Sequence, residues 1–569
     1  MIKQILSLAL AYAAASHTVV AQTRMTSGME ILKKEIPQLM KEAEIAGLSI
    51  SVIDNGKVIF SQGFGYENTK SRKVITGNTV FEGASLGKPL LAYLAIRLVE
   101  EGHLSIDAPI GSSVKGSLPP AVQNIADKVS MRMLLSHTSG LPNARSSNDS
   151  LRLYFPPGER FSYSGEGIML LQQVIEKKMN LPVDSLMKKY VFLPLMMAHS
   201  SFIWLPSYEL QKAYGHNELM EVMGRNKPLQ ANAANSLHTT ATDYGNFFAG
   251  VLKGINLKEG SRKDIITAQI PVDSTCVICL QKKTQATSSS TLSWGLGWGL
   301  EKTSAGAWMW HWGDNVTFKG FAIGDPATGN GFVYFANSTN GLSIAAKLTE
   351  MILGQPPASI KWLGYGQYDS PVKKQLQSIV LKRKKGVDEL EKKQQQNAFS
   401  ASQINWIGEQ LLNRRLLDEA AAVYRISLRE DSLSVQALTS LGNVYLQQQK
   451  RSLALQQYQK ALALSPQNQK LAGMVARLSI PMIKISSSLL QSYRGRYRSP
   501  IGMITISQKN STLFVQPDGA PQEELVAKSE TVFISLEAGV VLEFKKDSSN
   551  NMTIGISIGD QKFHADKVQ

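Results

Sequence analysis

The sequence predicts three folded parts. The first is an α/β unit (α+β in arrangement) on an antiparallel sheet flanked by helices. The second is an α-helical repeat module, and the third a small all-β domain. Three observations predict them. Apolar hairpin-like runs stand at residues 48–64 and again at 319–336, with a long helix-rich stretch between. An internal period of 34 residues runs through 401–468. From about Leu489 onward, short β-type runs alternate with turn residues. The length of 569 residues exceeds one ordinary domain, at roughly 100–200 residues each. A hydrophobic share of 43% lets each part bury a core.

Residues 1–21 read as a cleaved export signal. Lys3 supplies a positive start, Ile5 to Ala15 an apolar core, and Val19-Val20-Ala21 a small-residue end. The apolar run is shorter than the ~20 residues a membrane span needs. No cysteine follows it to take a lipid anchor there. The mature chain is expected to start near Gln22, to carry no transmembrane segment, and to be periplasmic or secreted. The net charge of +16 has one concentration, eight Lys/Arg against three acidic residues over 373–393. A solvated helix and linker explain it. No nucleic-acid motif is present, and no nucleic-acid partner is expected. The only cysteines, Cys276 and Cys279, are too few for a four-cysteine zinc site. A loop disulfide suits an oxidising compartment.

The α/β unit is assigned to residues 28–356. Leu48 to Ile53 and Val58 to Phe64, joined by Asp54-Asn55-Gly56, read as a β-hairpin. Lys319 to Ile323 and Gly331 to Ala336 repeat that pattern, and a helical run follows from Ile344 to Leu353. The two ends of the unit are expected to share one sheet. Residues 357–395, Pro/Gly-punctuated and then Lys/Gln-rich, read as a linker.

The repeat module is assigned to 396–470. Leu441, Gly442, Tyr445, Ala454, Tyr458, Ala461 and Pro466 resemble the tetratricopeptide pattern. One period earlier stand Ile407, Gly408, Leu411, Ala420, Tyr424, Ser427 and Ser432. Two repeats are fewer than the three usually needed, so the pair is expected to lean on a neighbour. Such repeats imply a possible protein partner. Residues 489–569 read as a small barrel or sandwich. Its expected strands are Met503 to Ile506, Leu513 to Val515, Thr531 to Leu536, Val540 to Phe544 and Met552 to Ile558.

The chemistry points to Phe81-Glu82-Gly83-Ala84-Ser85-Leu86-Gly87-Lys88-Pro89, followed by Leu90, Leu91, Leu94 and Leu98 in helical rhythm. Three residues turn a helix by about 300°, so Ser85 and Lys88 would share one face. An amine there can take the serine proton if burial lowers its pKa. The same Ser-x-x-Lys spacing at Ser112/Lys115, Ser185/Lys188 and Ser370/Lys373 lacks this context. Two further motifs follow in order, Tyr163-Ser164-Gly165 and His311-Trp312-Gly313. With Leu134-Leu135-Ser136-His137-Thr138-Ser139-Gly140-Leu141, they make the chain resemble the serine β-lactamase and penicillin-binding family. The closest branch is that of class C enzymes, D,D-peptidases and esterases.

The resemblance implies a serine β-lactamase-like fold over residues 28–356 and acyl transfer without metal or organic cofactor. Ser85 would attack a carbonyl of an ester, amide or β-lactam, including peptidoglycan-like acyl donors. Lys88 and Tyr163 would share the proton handling. His311, Gly313 and Asp314 would form the substrate-binding strand, and the oxyanion would rest on the backbone N–H groups of Ser85 and Asp314. The chain departs from the family twice. Gly165 replaces the Asn of the Tyr-x-Asn motif, and His311 replaces a Lys. Both changes suit an esterase or peptidase better than a β-lactamase. Asp314 would repel an oxyanion unless its side chain points away. His137 is expected to be a structural support.

Other readings remain at this level. Gly83-Ala84-Ser85-Leu86-Gly87 also spells the nucleophile elbow of an α/β-hydrolase, with Asp243 and His311 as partners. Ser85 could cap a helix. The chain could be a slowly turning over penicillin or peptidoglycan-peptide sensor, or a tetratricopeptide scaffold with a vestigial hydrolase domain. The eight histidines show no metal-ligand spacing.

Overall fold

The computed structural model describes residues 29–568, apart from 146–149, 219, 273–275, 282–290, 305, 482, 519, 521 and 536–537. The expected export signal lies outside the described residues. The chain divides into two compact units that meet at Ser370 and Pro371.

In the first unit, strands β1 (Gly47–Asp54) and β2 (Lys57–Asn68) form the expected hairpin. Asn55 and Gly56 turn it with φ of 48° and 73°, the left-handed pair that matches strand twist. Then follow β3 (Lys73–Val74), β4 (Phe81–Ala84), β5 (Leu237–Thr239), β6 (Ile270–Pro271) and β7 (Leu292–Trp294). Next come β8 (Gly299–Thr303), β9 (Gly306–Asp314), β10 (Lys319–Asp325) and β11 (Asn330–Ala336). The main sheet has the order β3-β2-β1-β11-β10-β9-β8-β7-β6, while β4 and β5 pair separately. The N-terminal β1 lies antiparallel to the late β11, Leu48 opposite Ala336 and Val52 opposite Phe332. The two ends of the unit do share one sheet.

Helices cover both faces of that sheet. Leu48, Ile50 and Val52 face one way, against Leu32 and Ile36 of the helix at 29–43 and Leu348 of the helix Ala345–Leu353. Ile53, Val333 and Phe335 face the other, against Phe247, Phe248 and Leu252 of Ala241–Lys253 and against the helix Gly87–Glu100. Alternate side chains of a strand point to opposite faces. A strand covered on both sides is therefore apolar almost throughout. Each fully buried Leu, Val or Phe here contributes roughly 1.5–3 kcal/mol.

The second unit corrects one expectation. Residues 357–395 are largely helical: Ala358–Trp362 lies in the first unit, and Pro371–Lys382 and Lys384–Gln394 form a hairpin in the second. Leu376, Ile379, Val380, Val387 and Leu390 are buried at helical spacing, an apolar stripe that the Lys/Gln-rich composition concealed. The basic residues lie on the wet faces, where Lys382 pairs with Glu389 at 2.9 Å.

Two helical pairs follow, Ala401–Asn413 with Leu417–Glu430 and Val435–Gln447 with Arg451–Leu464. A Cβ on Gly408 would come within 2.8 Å of the Tyr424 ring, and one on Gly442 within 2.9 Å of the Tyr458 ring. The same glycine–tyrosine crossing thus recurs after 34 residues. The preceding hairpin packs on the first pair, and the helix Gln469–Leu478 on the second. These neighbours supply the further layers that a two-repeat array lacks.

The chain ends in a closed antiparallel barrel of β12 (Gly495–Ser499), β13 (Gly502–Lys509), β14 (Thr512–Pro517), β15 (Glu523–Ala527), β16 (Val532–Ser535), β17 (Val541–Lys546), β18 (Met552–Ile558) and β19 (Gln561–Val568). Each strand pairs with the next, and β12 closes on β19. The sequence leaves barrel and sandwich open, and the strands it predicts do not include β12, β15 and β19, which are short or mostly polar. Overall the architecture is the expected one: an α/β domain on an antiparallel sheet flanked by helices, a helical repeat region and an all-β domain.

Candidate active site

Ser85 sits between β4 and the helix Gly87–Glu100. Ala84 before it holds φ at 48°, a strained conformation costing on the order of 1–3 kcal/mol for a non-glycine residue. The strand thereby turns sharply into the helix. Ser85 does not cap that helix, whose N-cap is Leu86 with no side-chain cap bond. Its Oγ accepts from Lys88 Nζ at 2.8 Å and donates to the Ala234 carbonyl at 3.4 Å. Lys88 Nζ donates to the same carbonyl at 2.8 Å. No described group accepts from the Ser85 N–H.

Lys88 is 2% exposed. Among the described residues no carboxylate pairs with it. Burial alone lowers its pKa to about 7, because a low-dielectric site disfavours the charged amine. The Tyr163 ring lies 4.9 Å from Nζ. Tyr163 is held between the rings of His137 at 4.4 Å and Trp312 at 4.7 Å. Burial pushes its phenol up, and the Ser85 hydroxyl offsets part of that rise. Its oxygen closes no hydrogen bond of good geometry among the described residues.

His137 and His311 flank this group. His137 Nδ1 accepts from the Ser164 N–H at 3.2 Å, so its proton sits on Nε2. This is the loop support expected of it. His311 is fully buried, and its Nδ1 faces the Trp312 carbonyl at 2.8 Å. That contact leaves its Nε2 as a bare acceptor. Burial, then Lys88, lower its pKa to about 3. His311 is therefore neutral at physiological pH. Neither Nε2 has a partner among the described residues.

On β9, a Cβ at Gly313 would lie 2.3 Å from the Gly83 carbonyl. Only glycine lets this strand pass so close to the end of β4. The Asp314 side chain turns into an ion pair with Lys319 and accepts from the Tyr365 hydroxyl at 2.7 Å. The expected charge conflict is removed.

Sequence reasoning missed several neighbours. Ser164 is extended, with φ −134° and ψ 115°, so side chains at 163 and 165 project to one side. The place a side chain at Gly165 would take is filled by Asn143, whose carbonyl and amide oxygens lie 2.5 and 3.2 Å from that Cβ position. The Cys276–Cys279 disulfide is present. Its loop holds the tyrosine segment: Tyr163 N–H donates to Val277 O, and Cys279 N–H to Ser162 Oγ, both at 2.9 Å. Below β4, Lys212 Nζ pairs with Glu82 Oε1 at 2.8 Å, and Glu82 Oε2 accepts from Asn315 Nδ2 at 2.9 Å.

The nucleophile-elbow alternative fails. The sheet is antiparallel, and Asp243 accepts from His199 N–H at 2.7 Å and Ser200 Oγ at 2.8 Å instead of meeting His311. Among the described residues, no group of three or more His, Cys, Asp or Glu side chains is arranged to hold a metal ion. No helix among them is long and apolar enough to cross a membrane.

A family model described as Beta-lactamase matches residues 32–353, more than half of the chain. A Tetratricopeptide repeat model matches residues 435–468. A protein named Beta-lactamase from Providencia stuartii is 30% identical over 220 residues, covering 37% of this chain and 56% of the relative. Protein flp of Staphylococcus aureus (strain N315) is 26% identical over 199 residues, 32% of this chain and 40% of the relative. The chain thus spans about half the length of these curated relatives. Among solved structures, the octameric penicillin-binding protein homologue from Pyrococcus abyssi is 17% identical, with a TM-score of 0.46 over 94% of this chain and 99% of that one. A D-alanine carboxypeptidase from Burkholderia cenocepacia is 20% identical, with a TM-score of 0.48 over 58% of this chain and 99% of that one.

Proposed function

The chain belongs to the beta-lactamase family, and from that premise we propose that it is a serine acyl hydrolase with Ser85 as nucleophile. One observation carries the reading: a buried amine with no carboxylate partner, its pKa lowered to about 7, lies 2.8 Å from the Ser85 hydroxyl. Near neutral pH about half of such amines are unprotonated. Lys88 then takes the serine proton as Oγ attacks the acyl carbonyl. The tetrahedral oxyanion rests on the N–H groups of Ser85 and Asp314. Burial disfavours a Tyr163 phenolate, so Tyr163 acts as a protonated relay. It hands a proton to the leaving group and is refilled from the Lys88 ammonium. Water attacks the acyl-enzyme by the reverse route, with Lys88 again accepting the proton.

The substrate we propose is an uncharged ester or amide rather than a carboxylate-bearing β-lactam. His311 is neutral and Lys319 is committed to Asp314. Neither offers the free cation that a substrate carboxylate wants. Export to an oxidising compartment is part of the proposal, supported by the Cys276–Cys279 bridge. So is a protein partner for the tetratricopeptide surface.

The test is hydrolysis of nitrophenyl acetate and labelling by a fluorophosphonate. Ser85→Ala is expected to abolish both; retained hydrolysis would move the nucleophile elsewhere. The absent side chain at Gly165 leaves a second reading, a sensor that deacylates slowly. Persistent label on Ser85 over hours, with no turnover, would favour it.

A further inference from the structure

The C-terminal barrel is a cup. An eight-stranded barrel has a lumen just wide enough to be filled by side chains or to hold one small ligand. Here the two ends of the lumen differ. At one end the helix Ser487–Tyr493 is the stopper. Tyr493 stacks on Phe544 at 4.2 Å, Phe533 meets Phe544 edge-on at 5.5 Å, and the Tyr493 hydroxyl donates to Glu530 O at 3.1 Å. Three rings and Leu490 fill that end.

At the other end the inward positions carry aliphatic or small side chains, except Glu523 opposite Val515. Ile504, Val515, Ser535, Leu542 and Ile556 line a cavity of about 160 Å³. An apolar void of about 150 Å³ accommodates a benzene ring. The mouth is open, and two large apolar side chains stand on its lip: Ile501 is 52% exposed and Ile558 40%. Apolar groups left wet around an apolar void are covered favourably by a ligand.

The charge at the mouth is one-sided. Asp518 and Glu523 line the cavity, and among the described residues no Lys or Arg does. Arg496 meets Asp518 only at 3.7 Å, with both side chains more than half exposed, so water screens that pair. Arg477 stands beside Gly539, outside the lining.

We propose that the barrel binds a small organic amine, its apolar group of about ring size in the cup and its ammonium at Asp518 and Glu523. The site is built from residues of the second unit alone and does not depend on the hydrolase reading.

The test uses the full chain with methyl-labelled isoleucine and two isosteric probes of opposite charge. Benzylamine is expected to shift the methyl signals of Ile504 and Ile556 saturably, and benzoate to leave them in place. Val515→Phe and Ile556→Phe fill the cup from different strands. In either variant that keeps the wild-type melting curve, the benzylamine response should vanish. Asp518→Asn with Glu523→Gln should weaken benzylamine about tenfold at low salt and bring it level with benzoate. Absence of any saturable shift in the wild type would overturn the site. So would a benzylamine response that survives filling of the cup. Equal binding of both probes by the wild type would overturn its charge selection.

Discussion

Lys88 and Lys212 are each 2% exposed in the same domain, yet they keep opposite company. Lys212 has a carboxylate, Glu82, which itself takes hydrogen bonds from Asn226 N–H at 3.2 Å and Asn315 at 2.9 Å. Burial lowers the Lys212 pKa, but Glu82 opposes that shift. Among the described residues the hydrogen-bond partners of Lys88 are a hydroxyl and a carbonyl, and nothing opposes the effect of burial. The difference teaches how one fold uses a costly group in two ways. A buried amine beside a carboxylate ties together segments distant in one chain. A buried amine beside a hydroxyl is poised to move a proton.

Substitution of each lysine should separate the two roles. The largest effect is expected from Lys88→Met, which should lower kcat/KM for nitrophenyl acetate by about 10²–10⁴-fold. Removing an unpaired buried charge should leave the melting temperature level or higher. Steady-state rates and a melting curve check both, and a stable variant with near-normal rates would break the contrast. Lys212→Met should do the reverse, costing about 3–5 kcal/mol in urea unfolding because Glu82 is left buried and unpaired. Adding Glu82→Leu should recover most of that loss.

Smaller effects sharpen the picture. Replacing both Cys276 and Cys279 by Ser should cost about 1–2 kcal/mol, since the bridge closes a very short loop. The loosened hold on Tyr163 should lower kcat more than it raises KM. The mildest effect is that of pH. The active amine is the neutral one, and its pKa is lowered to about 7. Log kcat/KM should therefore climb with pH up to about 7 and flatten above it, with half the plateau value near 7. An acid limb near pH 4 would assign the base elsewhere.

The candidate site was legible where chemistry followed spacing. Ser85 and Lys88 stand a helical turn apart, and their contact survives although the helix begins only at Gly87. Tyr163 and the His311 strand were legible through the order of motifs, and the structure brings Tyr163 to Lys88. The Ala234 carbonyl that both Ser85 and Lys88 contact was not legible, because every residue has a carbonyl and no letter marks the one that bends inward. Nor was Asn143, whose place beside Gly165 depends on a loop crossing. A solvated helix was expected within 373–393, but the buried stripe of the helices at 371–394 was hidden by composition, narrow as it is among many lysines.

The amino-acid order by itself determined the local geometry: the Asn55-Gly56 turn, the 34-residue glycine–tyrosine crossing, and a serine one turn ahead of a lysine. These depend on backbone preference and periodicity, which act over a few residues. Only the tertiary structure decided which buried lysine has a carboxylate beside it. Burial and partners set a pKa, and the carboxylate that restrains Lys212 lies 130 residues away along the chain. Folding alone brings such groups together and takes water away from them; both amines are desolvated, and the Glu82 carboxylate beside Lys212 separates the two.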